Sequence, residues 1–119
     1  AWNAKMNKYL GLVPSNDAQG VLQDVHWSNG LIGYFPTYTL GNLISAQIFE
    51  KATELRPEIL SAIENGEFLP LLQWLRKNIH WHGRKFTSQE ILKRTTGESL
   101  QPSYYLRYLQ KKYAEIYQL

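Results

Sequence analysis

The stretch GVLQDVHW, residues 20–27, groups residue types that do chemistry. Gly20, Gln23, His26 and Trp27 fall at i, i+3, i+6 and i+7. On a helix, Gln23, His26 and Trp27 share one face, with Gly20 one turn earlier on it. A core helix would carry Leu, Ile or Val there. An amide, an imidazole and an indole beside a residue with no side chain suit a binding or reacting surface instead. His26 is expected near the C-terminal end of its helix, where the dipole favours the protonated, donating imidazole. Tyr38 lies two positions after Pro36, in the first turn of the next helix, an end that carries unpaired amides and favours anions. The short 30–35 loop lets His26 and Tyr38 converge, and a donor imidazole with a phenol fits a developing oxyanion. Tyr34, just before that helix, competes for the phenol role. The same residues also read as an aromatic core around a satisfied histidine, and both readings stand at this point.

Little else in the chain carries chemistry. The other histidines, His80 and His82, flank Trp81; on a helix end they point apart, which favours capping or surface roles. There is no HExxH zinc helix, no serine-triad signature and no phosphate-binding glycine loop. The chain thus lacks a complete catalytic apparatus of its own. With 119 residues, 44% of them hydrophobic, it is large enough for one folded domain with a modest core. It has no cysteine, which excludes disulfides and thiolate metal sites and fits a reducing, cytoplasmic setting. No run of 18 apolar residues spans a membrane, and no secretory leader is apparent. The net charge of +3 is small, although the last third is basic and aromatic. Solvated helix faces account for that better than nucleic acid does. The start at Ala1-Trp2-Asn3 reads as the middle of a helix, and a fragment of a longer protein is expected.

The elements that must hold these residues are helical almost throughout. Trp2, Met6, Tyr9 and Leu10 form an apolar stripe that Gly11 ends. Ser15, Asn16 or Asp17 can cap a second helix, which carries the 20–27 motif and stops around Ser28–Gly30. Pro36 starts the longest helix, with the stripe Leu40, Leu43, Ile44, Gln47, Ile48, Ala52 and Leu55. Pro57 and Gly66 bound a short helix, and Pro70 opens another containing Leu71, Leu72, Leu75 and Ile79. Thr87 and Glu90 fit a capping box, with Gly97 at the far end. From Pro102 a last helix is expected to bury Tyr105, Leu106, Leu109, Tyr113 and Ile116. No segment alternates with period two. The fold class is all-α, about seven helices, with residues 1–119 read as a single helical unit without an interior boundary.

GVLQDVHW resembles the G-x-x-Q-D-x-H-W signature of the carboxypeptidase Taq family of zinc metallocarboxypeptidases. GYFPTYTLGN, residues 33–42, resembles the segment that follows it there, and the flanks WNAKMNKYLG, LLQWLRKNIHWHGRKFT and TTGESLQPSYYLRYLQKKYAEIY are similar to that family's C-terminal end. The resemblance implies the C-terminal part of a helical-groove metallopeptidase that removes the C-terminal residue of peptides. It implies zinc in the full-length parent, held upstream by an HExxH helix and an H-E-S glutamate, so this fragment would hold no metal and be inactive alone. It implies catalytic roles for His26 and Tyr38 at the tetrahedral oxyanion. Gln23 would orient His26 or hold substrate backbone, and Tyr34 would line the substrate site. Asp24 would make a structural hydrogen bond, with the Gly33–Tyr34 loop as the expected partner. Trp27 would pack behind His26, and Gly20 would let another helix approach. Arg84 is the local candidate for reading a substrate carboxylate, against a structural ion pair. The partners implied are a peptide, the missing N-terminal part of the same chain and a second copy in a homodimer, with neither nucleic acid nor membrane. The competing readings are a non-catalytic helical interaction module and a basic nucleic-acid-binding helical domain.

Overall fold

The computed structural model describes residues 1–118, and among these there are seven α-helices and no strand. They are α1 (Trp2–Leu10), α2 (Val25–Ser28), α3 (Pro36–Leu55), α4 (Glu58–Glu64), α5 (Leu69–Asn78), α6 (Ser88–Thr96) and α7 (Ser103–Tyr117). Short 3-10 turns occupy Asp17–Gln19, Val21–Gln23 and His80–His82. No helix among the described residues is long and apolar enough to cross a membrane. The chain divides into two compact units, Ala1–Thr39 and Leu40–Leu119, where the sequence suggests no boundary. The division falls inside α3.

The punctuation follows local chemistry. Gly11 takes the left-handed conformation (φ 67°) and returns its N–H to the Asn7 carbonyl, ending α1. Thr87 and Glu90 form the reciprocal capping box at the start of α6. Pro36 is the first residue of α3, and proline also stands at the start of α5.

The second unit owns a core. Ala52 of α3, Ile59 of α4 and Trp74 of α5 are buried together, with Ile48, Ile63, Leu71, Leu75 and Ile79 packed against them. Leu92 of α6 is also buried. The apolar stripe of α3 has a polar centre: Gln47 is fully buried. Its Nε2 donates to Thr96 Oγ1 (3.1 Å) and to the Ser99 carbonyl (3.1 Å), and its Oε1 accepts from the Gln101 amide (2.9 Å). One side chain thus satisfies three groups in the α6–α7 connection, which has no regular ladder of its own.

Two expectations about burial are corrected. Leu40 and Leu55, at the two ends of the α3 stripe, are exposed. In α7 no residue is fully buried, and Leu106, Tyr113 and Ile116 are exposed while Tyr105 and Leu109 are half-buried. A helical apolar stripe identifies a face that prefers cover, and α7 carries more such face than its unit covers.

The first unit has no buried hydrophobic side chain. Trp2 and Met6 of α1 are half-buried, whereas Tyr9, Leu10, Leu12, Ile32 and Phe35 are exposed. Its one buried residue is Gly20. A Cβ there would stand 3.1 Å from the Trp2 ring and 3.1 Å from Pro14 Cγ, so the missing side chain is what admits the indole.

Candidate functional site

The 20–27 motif is not one helix. Gly20 breaks it (φ −122°, ψ −114°) and Asp24 restarts it as an extended N-cap (φ −81°, ψ 102°). Between them Val21–Gln23 is a single 3-10 turn, and α2 is only four residues long. Both interrupting residues favour exits from a helix: glycine for its freedom, aspartate because its carboxylate competes for backbone amides. The shared helical face of Gln23, His26 and Trp27 therefore does not exist. His26 does lie in the last turn of its helix, as expected, but α2 is a single turn, so His26 is in its first turn as well. No helix dipole favours its cationic form there.

A carboxylate sits beside the ring. Asp24 Oδ1 accepts from the His26 backbone N–H (3.0 Å) and lies 2.6 Å from His26 Nδ1. This hydrogen bond replaces the one expected to the Gly33–Tyr34 loop. On the other side of the ring, His26 Nε2 lies 3.3 Å from the Tyr38 hydroxyl. The His26 and Tyr34 ring centroids are 5.0 Å apart, His26 and Tyr38 5.5 Å, and Tyr34 and Tyr38 5.7 Å in an edge-on arrangement. The structure thus brings Asp24, His26, Tyr34 and Tyr38 together. Of the two candidate phenols, Tyr38 meets the imidazole through its hydroxyl and Tyr34 through its ring.

The loop that folds Tyr34 and Tyr38 back onto His26 is built by tight turns. Leu31 N–H bonds the His26 carbonyl (2.8 Å), and Gly30 and Gly33 take positive φ (73° and 82°). Such backbone conformations disfavour a Cβ, which is why glycines bound this loop. Thr37 donates its N–H (2.9 Å) and its hydroxyl (2.7 Å) to the Tyr34 carbonyl, and the Tyr38 N–H reaches the Phe35 carbonyl (3.3 Å). The first-turn amides of Thr37 and Tyr38 are therefore paired, against the expectation of free amides awaiting an anion.

The remaining candidates stand apart from that chemistry. Gln23 Nε2 donates to the Ala18 carbonyl (2.5 Å), so it braces the preceding turn and does not orient His26. Trp27 is exposed. Arg84 belongs to the second unit, is exposed, and makes no ion pair among the described residues. His80 and His82 sit in the 3-10 turn after α5, where His82 packs edge-on against Phe86 at 5.4 Å. Arg94 covers the Phe86 ring at 4.1 Å, a cation–π contact that accounts for part of the basic character of this region. The second unit also carries an apolar groove of about 1000 Å³, walled by Ile44 and Phe49 of α3, Leu71 and Leu75 of α5, and Tyr105 and Tyr108 of α7. The Asp24–His26 pairing is the one functional contact that helical periodicity misses. An aspartate two residues before a histidine, at a helix start, is the signal that finds it.

The fold and the His–Tyr cluster fit a helical peptidase, and comparison with known proteins gives the class directly. The sequence pattern described as Carboxypeptidase Taq (M32) metallopeptidase matches residues 1–113. The chain belongs to the carboxypeptidase Taq family of metallopeptidases. It is 46% identical over 118 residues to "Carboxypeptidase 1" of Bacillus subtilis, covering 99% of this chain and 24% of that protein. It is 48% identical over 118 residues to "Thermostable carboxypeptidase 1" of Thermus thermophilus, covering 98% and 23%. The crystal structure of the M32 carboxypeptidase from Deinococcus radiodurans R1 superposes with a TM-score of 0.89 at 41% identity, covering 99% of this chain and 24% of that one. The chain spans about a quarter of the length of these relatives, and the match is to their C-terminal quarter.

Proposed function

We propose that this chain supplies one wall of the substrate site in a zinc metallocarboxypeptidase that hydrolyses the C-terminal residue of peptides. The observation that carries the reading is the convergence of His26 Nε2 and the Tyr38 hydroxyl at 3.3 Å, with Asp24 behind the imidazole, inside a family of metallopeptidases. With the imidazole protonated, the His26 Nε2–H and the Tyr38 O–H are two neighbouring donors for a carbonyl oxygen that gains charge as the tetrahedral intermediate forms. His26 and Tyr38 are the catalytic pair in this reading. Tyr34, its ring tilted against His26 at 5.0 Å and exposed, lines the place where substrate lies.

The residues of this chain do not fit a metal. Among those described, no three His, Cys, Asp or Glu side chains gather closely enough to hold an ion. Zinc in the complete enzyme has its ligands outside these residues, and the roles given to His26 and Tyr38 do not depend on it. Arg84 is exposed and makes no ion pair among the described residues, so its guanidinium stays the local candidate for reading the substrate's terminal carboxylate. The exposed apolar faces of α1 and α7 support partners for this segment, the rest of the enzyme and a second copy.

The test is product analysis. The complete enzyme carrying this sequence, given a peptide of mixed sequence, is expected to release free amino acids in order from the C-terminus. Blocking that terminus as an amide is expected to stop release. Internal cleavage, or equal rates on the amide, contradicts the reading.

A further inference from the structure

We propose that Asp24 is a positioning residue that fixes which nitrogen of His26 carries the proton, so that Nε2 alone faces Tyr38. The proposal rests on the catalytic reading of His26 for its purpose, while its geometry stands separately.

Asp24 Oδ1 contacts His26 twice, at the backbone N–H (3.0 Å) and at ring Nδ1 (2.6 Å). The first contact is an ordinary helix cap and needs only an oxygen at this position, which Asn or Ser would also provide. The second has a different requirement. A carboxylate accepts hydrogen bonds and has none to give, so the Nδ1 beside it must carry hydrogen. The side chains of His26 and Asp24 are 18% and 17% exposed, so little water competes for the contact. The bond made at one ring nitrogen decides the state of the other. With Nδ1 protonated, neutral His26 offers a bare Nε2, which accepts the Tyr38 O–H. When the imidazole gains a second proton, Nε2–H becomes a donor. One proton therefore reverses the polarity of the His26–Tyr38 contact without moving a side chain.

The experiment is tautomer-resolved NMR of 15N-histidine-labelled protein above the imidazole titration, with His26 assigned by its loss in His26→Gln. The expected result is Nδ1–H at His26, and a shift towards Nε2–H in Asp24→Asn, which keeps the cap oxygen and removes the carboxylate. Nε2–H in the unaltered protein, or Nδ1–H persisting in Asp24→Asn, would overturn the proposal. Tyr38→Phe provides a second arm that leaves α2 intact. It is expected to retain Nδ1–H, and loss of that state would assign the control to Tyr38. In the complete enzyme, Asp24→Asn is expected to lower kcat on the order of 10- to 100-fold with little change in KM, as loss of an orienting partner does. A rise in KM with kcat intact would count against it. If the tautomer follows Asp24 while His26→Ala turns over normally, positioning stands and the catalytic assignment of His26 falls.

Discussion

Residues 1–39 carry the proposed catalytic cluster and residues 40–118 carry the core. In the first unit the functional side chains are placed by local devices: a glycine that admits Trp2, an aspartate that caps a four-residue helix, and glycine turns that return Tyr34 and Tyr38 to His26. No apolar side chain is buried there. In the second unit, Ala52, Ile59 and Trp74 make a shared interior, and Gln47 ties the α6–α7 connection to α3. The contrast teaches that precise local geometry and stability are separable. Short turns can aim a histidine within hydrogen-bond distance of a phenol, yet segments with few buried apolar contacts open at low free energy. The first unit needs cover from elsewhere to keep its geometry during turnover.

The contrast can be broken or sharpened by substitution. The largest stability effect is expected in the second unit. Ile59→Ala should destabilise by about 2–5 kcal/mol, the range for truncating a fully buried aliphatic side chain. The urea midpoint of the unfolding transition checks it, and a shift equal to that of an exposed control such as Leu60→Ala would remove Ile59 from the core. A smaller effect is expected from Gly20→Ala, whose new methyl meets the Trp2 ring and Pro14 at 3.1 Å. Forcing those neighbours apart costs about 1–3 kcal/mol. It should appear as a change in Trp2 fluorescence with the second unit's transition unmoved.

The smallest effect concerns α6. Thr87→Ala removes the cap and should cost about 1 kcal/mol. The Thr87 amide and hydroxyl hold the Glu90 carboxyl below its usual range. A carboxyl lowered on folding contributes stability that is fully present above its unfolded value of 4.5 and is lost as pH falls through the folded value. The Thr87→Ala difference measured by denaturant titration should therefore shrink below about pH 4.5. A difference that stays constant down to pH 2 would show that the Glu90 half of the box contributes nothing.

Much of this was legible in the sequence, unevenly. The proline and glycine positions mark α1, α3, α4, α5 and α6 because each acts through its own backbone, and the capping box at Thr87 is equally local. The GVLQDVHW motif points to the family, and the short 30–35 loop after it lets His26, Tyr34 and Tyr38 meet, as the structure shows. Its internal geometry was misread because spacing alone assumes a continuous helix, and Gly20 and Asp24 each interrupt one. Gln23 accordingly turns to the Ala18 carbonyl, away from the imidazole. The burial of Gln47 escaped for a different reason. Its partners Thr96, Ser99 and Gln101 lie about 50 residues away in sequence, and hydrophobic periodicity carries no information about distant polar pairing.

In the proposed function, His26 and Tyr38 of the first unit stabilise charge at the substrate carbonyl. Steady-state kinetics of His26→Ala and Tyr38→Phe in the complete enzyme test it most directly. The account predicts that each lowers kcat by about 10²–10³-fold, the usual loss for one oxyanion donor, while the unfolding midpoint of residues 40–118 stays where it was. Unchanged kcat in both variants would contradict it and leave the cluster as a packing feature of the first unit.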